Sequence, residues 1–183
     1  MKRTLLAFAT IAILMLSQSV KAQMDVKTLW IDNGDRRIFG KLCKPAKADG
    51  KQPIVIVSHG FNGTHYFAQD YFKPLSDLGY QVYCFDFPCG SINSQSDKNT
   101  MNMSIEDEVS DVQAIVKYFS KQKDIDRKQI VLIGESQGGL VSALASARMP
   151  KAISQTILIY PAFCIPDNWN SRYPRIEDIP DTT

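Results

Sequence analysis

The sequence predicts an α/β domain: a mostly parallel central sheet with helices on both faces, opening with an antiparallel hairpin. Three observations lead there. Pro53 to Ser58 (PIVIVS) and Ile130 to Ile133 are apolar almost without interruption, as strands buried on both faces are, and Ile153 to Tyr160 (ISQTILIY) supplies one more strand. Helix-like stretches of about ten to fifteen residues alternate with them, which is the pattern of a parallel sheet joined by crossovers. And Asn33-Gly34 stands between two strand-like runs, a hairpin signal.

At 183 residues with 44% hydrophobic content the chain is sized for one globular domain, and a formal net charge of +2 gives no electrostatic reason to expect nucleic acid as a partner. Residues 1–22 stand apart. Lys2 and Arg3 precede an apolar run from Leu5 to Leu16, and Ser19-Val20-Lys21-Ala22 ends in a small-x-small pattern, so the segment reads as a signal peptide cleaved after Ala22. That implies a secreted or periplasmic protein with no membrane segment after cleavage, since the run is shorter than the ~20 residues a spanning helix needs. Export permits disulfides between Cys43, Cys84, Cys89 and Cys164, but their spacing is not that of a stapled scaffold. Cys84 falls inside an apolar strand and reads as a small buried side chain; for Cys89, in a loop, pairing and a free thiol are both open. There is no CxxC, and His59 and His65 are the only histidines, so no metal is expected.

In order, Val26 to Ile31 and Arg37 to Leu42 form the hairpin, a polar loop follows, and Pro53 to Ser58 makes the first buried strand, ending in His59-Gly60-Phe61-Asn62-Gly63. Tyr66 to Leu78 is expected to be helical, at least from about Asp70, with Gly79 as its C-terminal cap. Tyr80 to Phe87 is the next strand. After a Ser- and Asn-rich loop, Ser104 caps a helix whose first turn carries acids, and Ile105, Val109, Val112, Ile115, Val116 and Phe119 share one face of it.

The stretch from Lys128 to Met149 then places Gly134-Glu135-Ser136-Gln137-Gly138 between a buried strand and a helix-like run. This is the GxSxG pattern. So sharp a strand-to-helix turn strains the serine backbone, and small neighbours two residues either side let strand and helix approach, which holds the Ser136 hydroxyl out at the end of the strand. Ile153 to Tyr160 is the last strand, and the tail from Cys164 has three prolines and no period.

Taken together these segments resemble an α/β-hydrolase from about Val26 onward: His59-Gly60-Phe61 after one strand, Phe85 to Ser91 after the next, GxSxG after the third, Tyr160-Pro161-Ala162-Phe163 after the fourth. More narrowly, the HGFxG turn with GESQGG is similar to bacterial cinnamoyl (feruloyl) and related short-acyl serine esterases. The resemblance implies a hydrolase core over residues 23–164 with a lid or insertion starting at 165–183. It implies Ser136 as nucleophile, the main-chain N–H groups of Phe61 and Gln137 as oxyanion donors, and no cofactor. The expected substrate is a small-molecule or carbohydrate-linked ester. His59 is expected to be structural in such an HG turn, and Glu135 either lines the pocket or is solvated or salt-bridged. Phe163, Trp169 and Tyr173 are compatible with an aromatic acyl pocket but fit core or lid packing better.

One departure stands out. A serine nucleophile needs a histidine and an acid, which in this fold follow it in sequence. No histidine follows His65, and the later acids Asp167, Glu177, Asp178 and Asp181 lie in the irregular tail. About six strands are found where the family has eight. The sequence is therefore expected to be the N-terminal part of a longer hydrolase, with little or no esterase activity by itself. A peptidase or acyltransferase of the same fold, and a non-catalytic secreted module, remain the alternatives.

Overall fold

The computed structural model of the chain describes residues 24–97 and 102–165. The expected signal peptide, nearly all of the expected lid segment and the four tail acids lie outside the described residues. Six strands, β1 (Asp25–Asn33), β2 (Arg36–Lys44), β3 (Gln52–Ser58), β4 (Gln81–Phe85), β5 (Ile125–Glu135) and β6 (Gln155–Ile159), form one sheet in the order β1-β2-β4-β3-β5-β6. The helices are α1 (Phe72–Asp77), α2 (Ile105–Phe119) and α3 (Gln137–Arg148), with a 3-10 helix (His65–Tyr71) before α1. β1 and β4 flank β2 antiparallel; β3, β4, β5 and β6 run parallel, as the unbroken apolar runs predict.

Alternation along the strands divides the core between two faces. Ile54, Ile56, Tyr83, Phe85, Ile130 and Leu132 pack with Val109, Val112, Ile115, Val116 and Phe119 of α2 and Val141 and Ala145 of α3. Val55, Val57, Val82, Cys84, Val131 and Ile133 pack on the other face with Ala68 and Phe72. Cys43, Cys84 and Cys164 hold free thiols, and the Cys84 thiol donates to the Ala68 carbonyl at 3.1 Å.

Four elements differ from the sequence reading. The hairpin turn is Gly34-Asp35, because Asn33 already pairs with Arg36. Gly34 takes the left-handed backbone (φ 64), and Asn33 instead donates to Ser110 and Asp111 of α2 at 3.1 and 2.7 Å. The helix expected over Tyr66 to Leu78 is a 3-10 helix and a six-residue α-helix. Pro74 lacks an N–H and fits only the first turn, so the α-helix starts no earlier than about Phe72; Gly79 (φ 87) ends it as expected. β4 stops at Phe85, where Asp86 turns its carboxyl to the N–H groups of His65 and Gln95 at 2.6 and 2.8 Å. Finally, β6 is the sheet edge and is not covered on both faces: Ile157 is 48% exposed.

The site follows from this topology. From β3 the chain crosses to β4 on one side, and its other neighbour is β5, so the connections leave the carboxyl ends of β3 and β5 in opposite directions. Such a switch point opens a crevice at that edge of the sheet.

Candidate active site

Ser136 sits at that crevice, at the head of α3, with φ 51 and ψ −118. The turn closes only because its flanking residues lack side chains. A Cβ on Gly138 would lie 2.4 Å from the carbonyl oxygens of Ser58 and His59, and one on Gly134 would lie 2.3 Å from the Gly138 carbonyl oxygen. The turn is also fastened: the Ser136 N–H donates to Ile159 at 3.0 Å, and its carbonyl accepts from Gly139, Leu140 and Ala162 at 3.0, 3.3 and 2.9 Å. Asn62, Cys89, Ser136 and Tyr160, the non-glycine residues with positive φ among the described residues, lie one after each of β3, β4, β5 and β6. Left-handed backbone costs such residues about 1–3 kcal/mol each, and here it collects at one edge of the sheet.

An open cleft of about 200 Å³ lies over Ser136, walled by Gly60, Phe61 and Gly63 after β3, Phe67 of the 3-10 helix, and Glu135 and Tyr160. A Cβ on Gly60 would be 3.1 Å from the Ser136 Cβ and 3.7 Å from its Oγ, so the loop after β3 rests on the serine. Phe61 and Ser136 therefore share the cleft. Gln137 does not line it; its side chain turns inward, and Nε2 donates to Glu108 Oε1 and Oε2 at 3.0 and 2.9 Å. Among the described residues, neither the Phe61 nor the Gln137 main-chain N–H donates to a protein acceptor.

His59 is buried, with Nδ1 donating to the Gly60 carbonyl (2.7 Å) and Nε2 accepting from the Phe87 N–H (3.1 Å). Burial holds its pKa below the ordinary value. The ring ties the loop after β3 to the loop after β4, the structural role expected of it. The Asn62 N–H adds a second tie, to Gly90 at 3.0 Å. His65 is fully buried against Asp86, with Nδ1 2.7 Å from Oδ1.

Glu135 lines the cleft and is not solvated: it accepts from the Tyr71 hydroxyl at 2.6 Å and the Tyr160 hydroxyl at 3.0 Å. Burial first, then the Glu135 hydrogen bond, pushes the Tyr71 pKa up; for Tyr160 the hydrogen bond leads. Sequence reasoning did not find these tyrosines, nor Glu108 and Asp111. For the two acids a signal existed: they fall three and four residues from Ile105, Val112 and Ile115, on the apolar face of α2. Burial raises Glu108 to about 7, opposed by the Gln137 hydrogen bond and reinforced by Asp111. Burial likewise raises Asp111 to about 6, opposed by Asn33 and Arg36.

Residues 49–179 match the family described as Serine aminopeptidase, S33. Est1E from Butyrivibrio proteoclasticus, solved with ferulic acid bound, superposes with a TM-score of 0.70 at 26% identity, over 79% of this chain and 57% of that one. The α/β hydrolase GrgF from Penicillium sp. sh18 gives 0.67 at 22% identity, over 80% and 50%. A CIB-like hydrolase from Thermoplasma acidophilum gives 0.62 at 19%, over 84% and 71%. The chain thus spans little more than half the length of Est1E. A comparison with curated proteins returned no match. A family match across most of the chain, on a sheet of this order with a GxSxG turn at its switch point, means that the chain belongs to the Serine aminopeptidase, S33 family of α/β-hydrolases.

Proposed function

We propose that the protein is a secreted or periplasmic serine hydrolase that cleaves carboxylic esters of small or aromatic acids, hydroxycinnamoyl esters on carbohydrate among them, through an acyl-enzyme on Ser136. The observation that carries this is the strained Ser136 at the head of α3, facing a cleft whose far wall is the Gly60-Phe61 loop. Ser136 Oγ attacks the ester carbonyl carbon. The carbonyl π electrons move to oxygen, and the main-chain N–H groups of Phe61 and Gln137 stabilise that charge by roughly 3 kcal/mol for each donor. Collapse expels the alcohol and leaves an acyl-Ser136; water then attacks it, releasing the acid and restoring the hydroxyl. The exposed rings of Phe61, Phe67 and Tyr160 around the cleft suit an aromatic acyl group, and Est1E, the 26% identical neighbour, binds ferulic acid.

The Ser136 proton needs a base. Neither His59 nor His65 is assigned that role: His59 Nε2 already accepts from the Phe87 N–H, and His65 is fully buried and does not line the cleft. A polypeptide of residues 23–183, the core to 164 and the start of a lid from 165, is accordingly expected to show no ester turnover. A second reading, an aminopeptidase, is favoured by the family description. Comparing the full-length protein on methyl ferulate and on an amino-acid 4-nitroanilide separates the two. Faster ester turnover that disappears in Ser136→Ala supports the esterase. Faster anilide turnover replaces it with the peptidase, and turnover of neither leaves a non-catalytic module.

A further inference from the structure

A carboxyl group on the apolar face of α2 is a poor choice for stability alone, because burying it costs far more than filling the space with a hydrocarbon of similar size. Glu108 is only 2% exposed. Its two oxygens meet the Gln137 Nε2 at the head of α3. On its other side lies the loop after β4: a Cβ on Gly90 would be 3.3 Å from Glu108 Oε1 and equally 3.3 Å from His59 Cε1. Gly90 and His59 are the groups that fasten the Phe61 loop, through the Asn62 N–H on the Gly90 carbonyl and the imidazole between Gly60 and Phe87. One buried side chain therefore bonds the residue that carries one candidate oxyanion donor and lies beside Gly90, which fastens the loop carrying the other.

We propose that Glu108 is a positioning residue for ester cleavage: held on α2, it grips the Gln137 side chain and lies beside Gly90, and so sets the spacing between the Gln137 and Phe61 main-chain N–H groups. The Ser136–Gln137 peptide is already fixed at its carbonyl end by the N–H groups of Gly139, Leu140 and Ala162. The Glu108 contact fixes the other end, at the Gln137 Cα. Two donors that must meet one developing charge lose their effect when either is displaced by a fraction of an ångström, and the loss falls on the transition state rather than on substrate binding. This rests on the acyl-enzyme reading of Ser136.

The test is steady-state ester hydrolysis by the full-length protein and four variants, with thermal melts alongside. Ser136→Ala examines the underlying reading: undiminished turnover there removes that reading, whatever Glu108 does. Given its loss in Ser136→Ala, Glu108→Ala is expected to lower kcat by about 10-fold or more with KM within about twofold. Glu108→Gln, which keeps one oxygen acceptor, is expected to recover most of kcat. Gln137→Met keeps the main-chain N–H, removes the gripped amide, and is expected to reproduce the kcat loss; it also serves if Glu108→Ala does not fold. A folded Glu108→Ala or Gln137→Met with unchanged kcat, or with an effect confined to KM or to melting temperature, overturns the proposal.

Discussion

At Gly138 there is no room for a methyl group: two carbonyl oxygens of the β3 end stand 2.4 Å from where it would be. Gly138→Ala must push α3 off β3, and overpacking of this kind costs about 1–3 kcal/mol or more, readable as a lower urea midpoint. Glu108 and Asp111 give a pH signature. Both are raised in the folded state, from 4.5 to about 7 and from 3.8 to about 6. Between the unfolded and folded values the native state holds protons that the unfolded chain has released, so stability falls as pH rises from about 4 to about 7 and levels off above. For Glu108 the span corresponds to roughly 3 kcal/mol. Gln137 of α3 and Asp111 act on Glu108, and Arg36 of β2, Asn33 of β1 and Asp107 act on Asp111; His59, held low by burial, acts oppositely and destabilises as pH drops. Glu108→Gln is therefore expected to melt higher relative to the parent at pH 8 than at pH 5; an offset independent of pH would contradict this. At this scale the sequence showed Ser136 and its glycines plainly, because the turn dictates residue types. Tyr71 and Tyr160 were hidden, since they meet Glu135 only across elements 64 and 25 residues away.

Among the elements, α2 was the most legible. Its cap residue Ser104 accepts from the Asp107 N–H at 3.0 Å, as its position before Ile105 suggested. Ser104→Ala is expected to cost about 1 kcal/mol, read as a lower midpoint in chemical denaturation. The least legible element was the segment from His65 to Asp77. Its apolar spacing suggested one helix, but Pro74 limits the α-helical part, and the His65 N–H is taken by Asp86 from β4. Such a tertiary bond cannot be seen in local periodicity. β6 was found but misread as covered, because an apolar run does not reveal which strand ends the sheet.

At the scale of the whole sheet, that edge is an exposed apolar feature. Ile157, Leu158 and Phe163 all face solvent among the described residues. An open parallel edge with apolar side chains invites pairing with another chain. A polypeptide of residues 23–183 is expected to self-associate at micromolar concentration in size-exclusion chromatography, and Ile157→Lys to reduce this with little change in melting temperature. The parallel sheet, its hairpin and the position of GxSxG between a buried strand and a helix were legible from pattern alone, because long apolar strands and a Gly-x-Ser-x-Gly turn leave few arrangements open; that this turn falls at the switch between β3 and β5 came only with the strand order. The central claim remains chemical: Ser136 is a nucleophile. Treating the full-length protein with a fluorophosphonate and sequencing the modified peptide by mass spectrometry tests it most directly. The adduct is expected on Ser136 alone and absent from Ser136→Ala. An unmodified Ser136, or an adduct on a different residue that persists in that variant, would contradict the account.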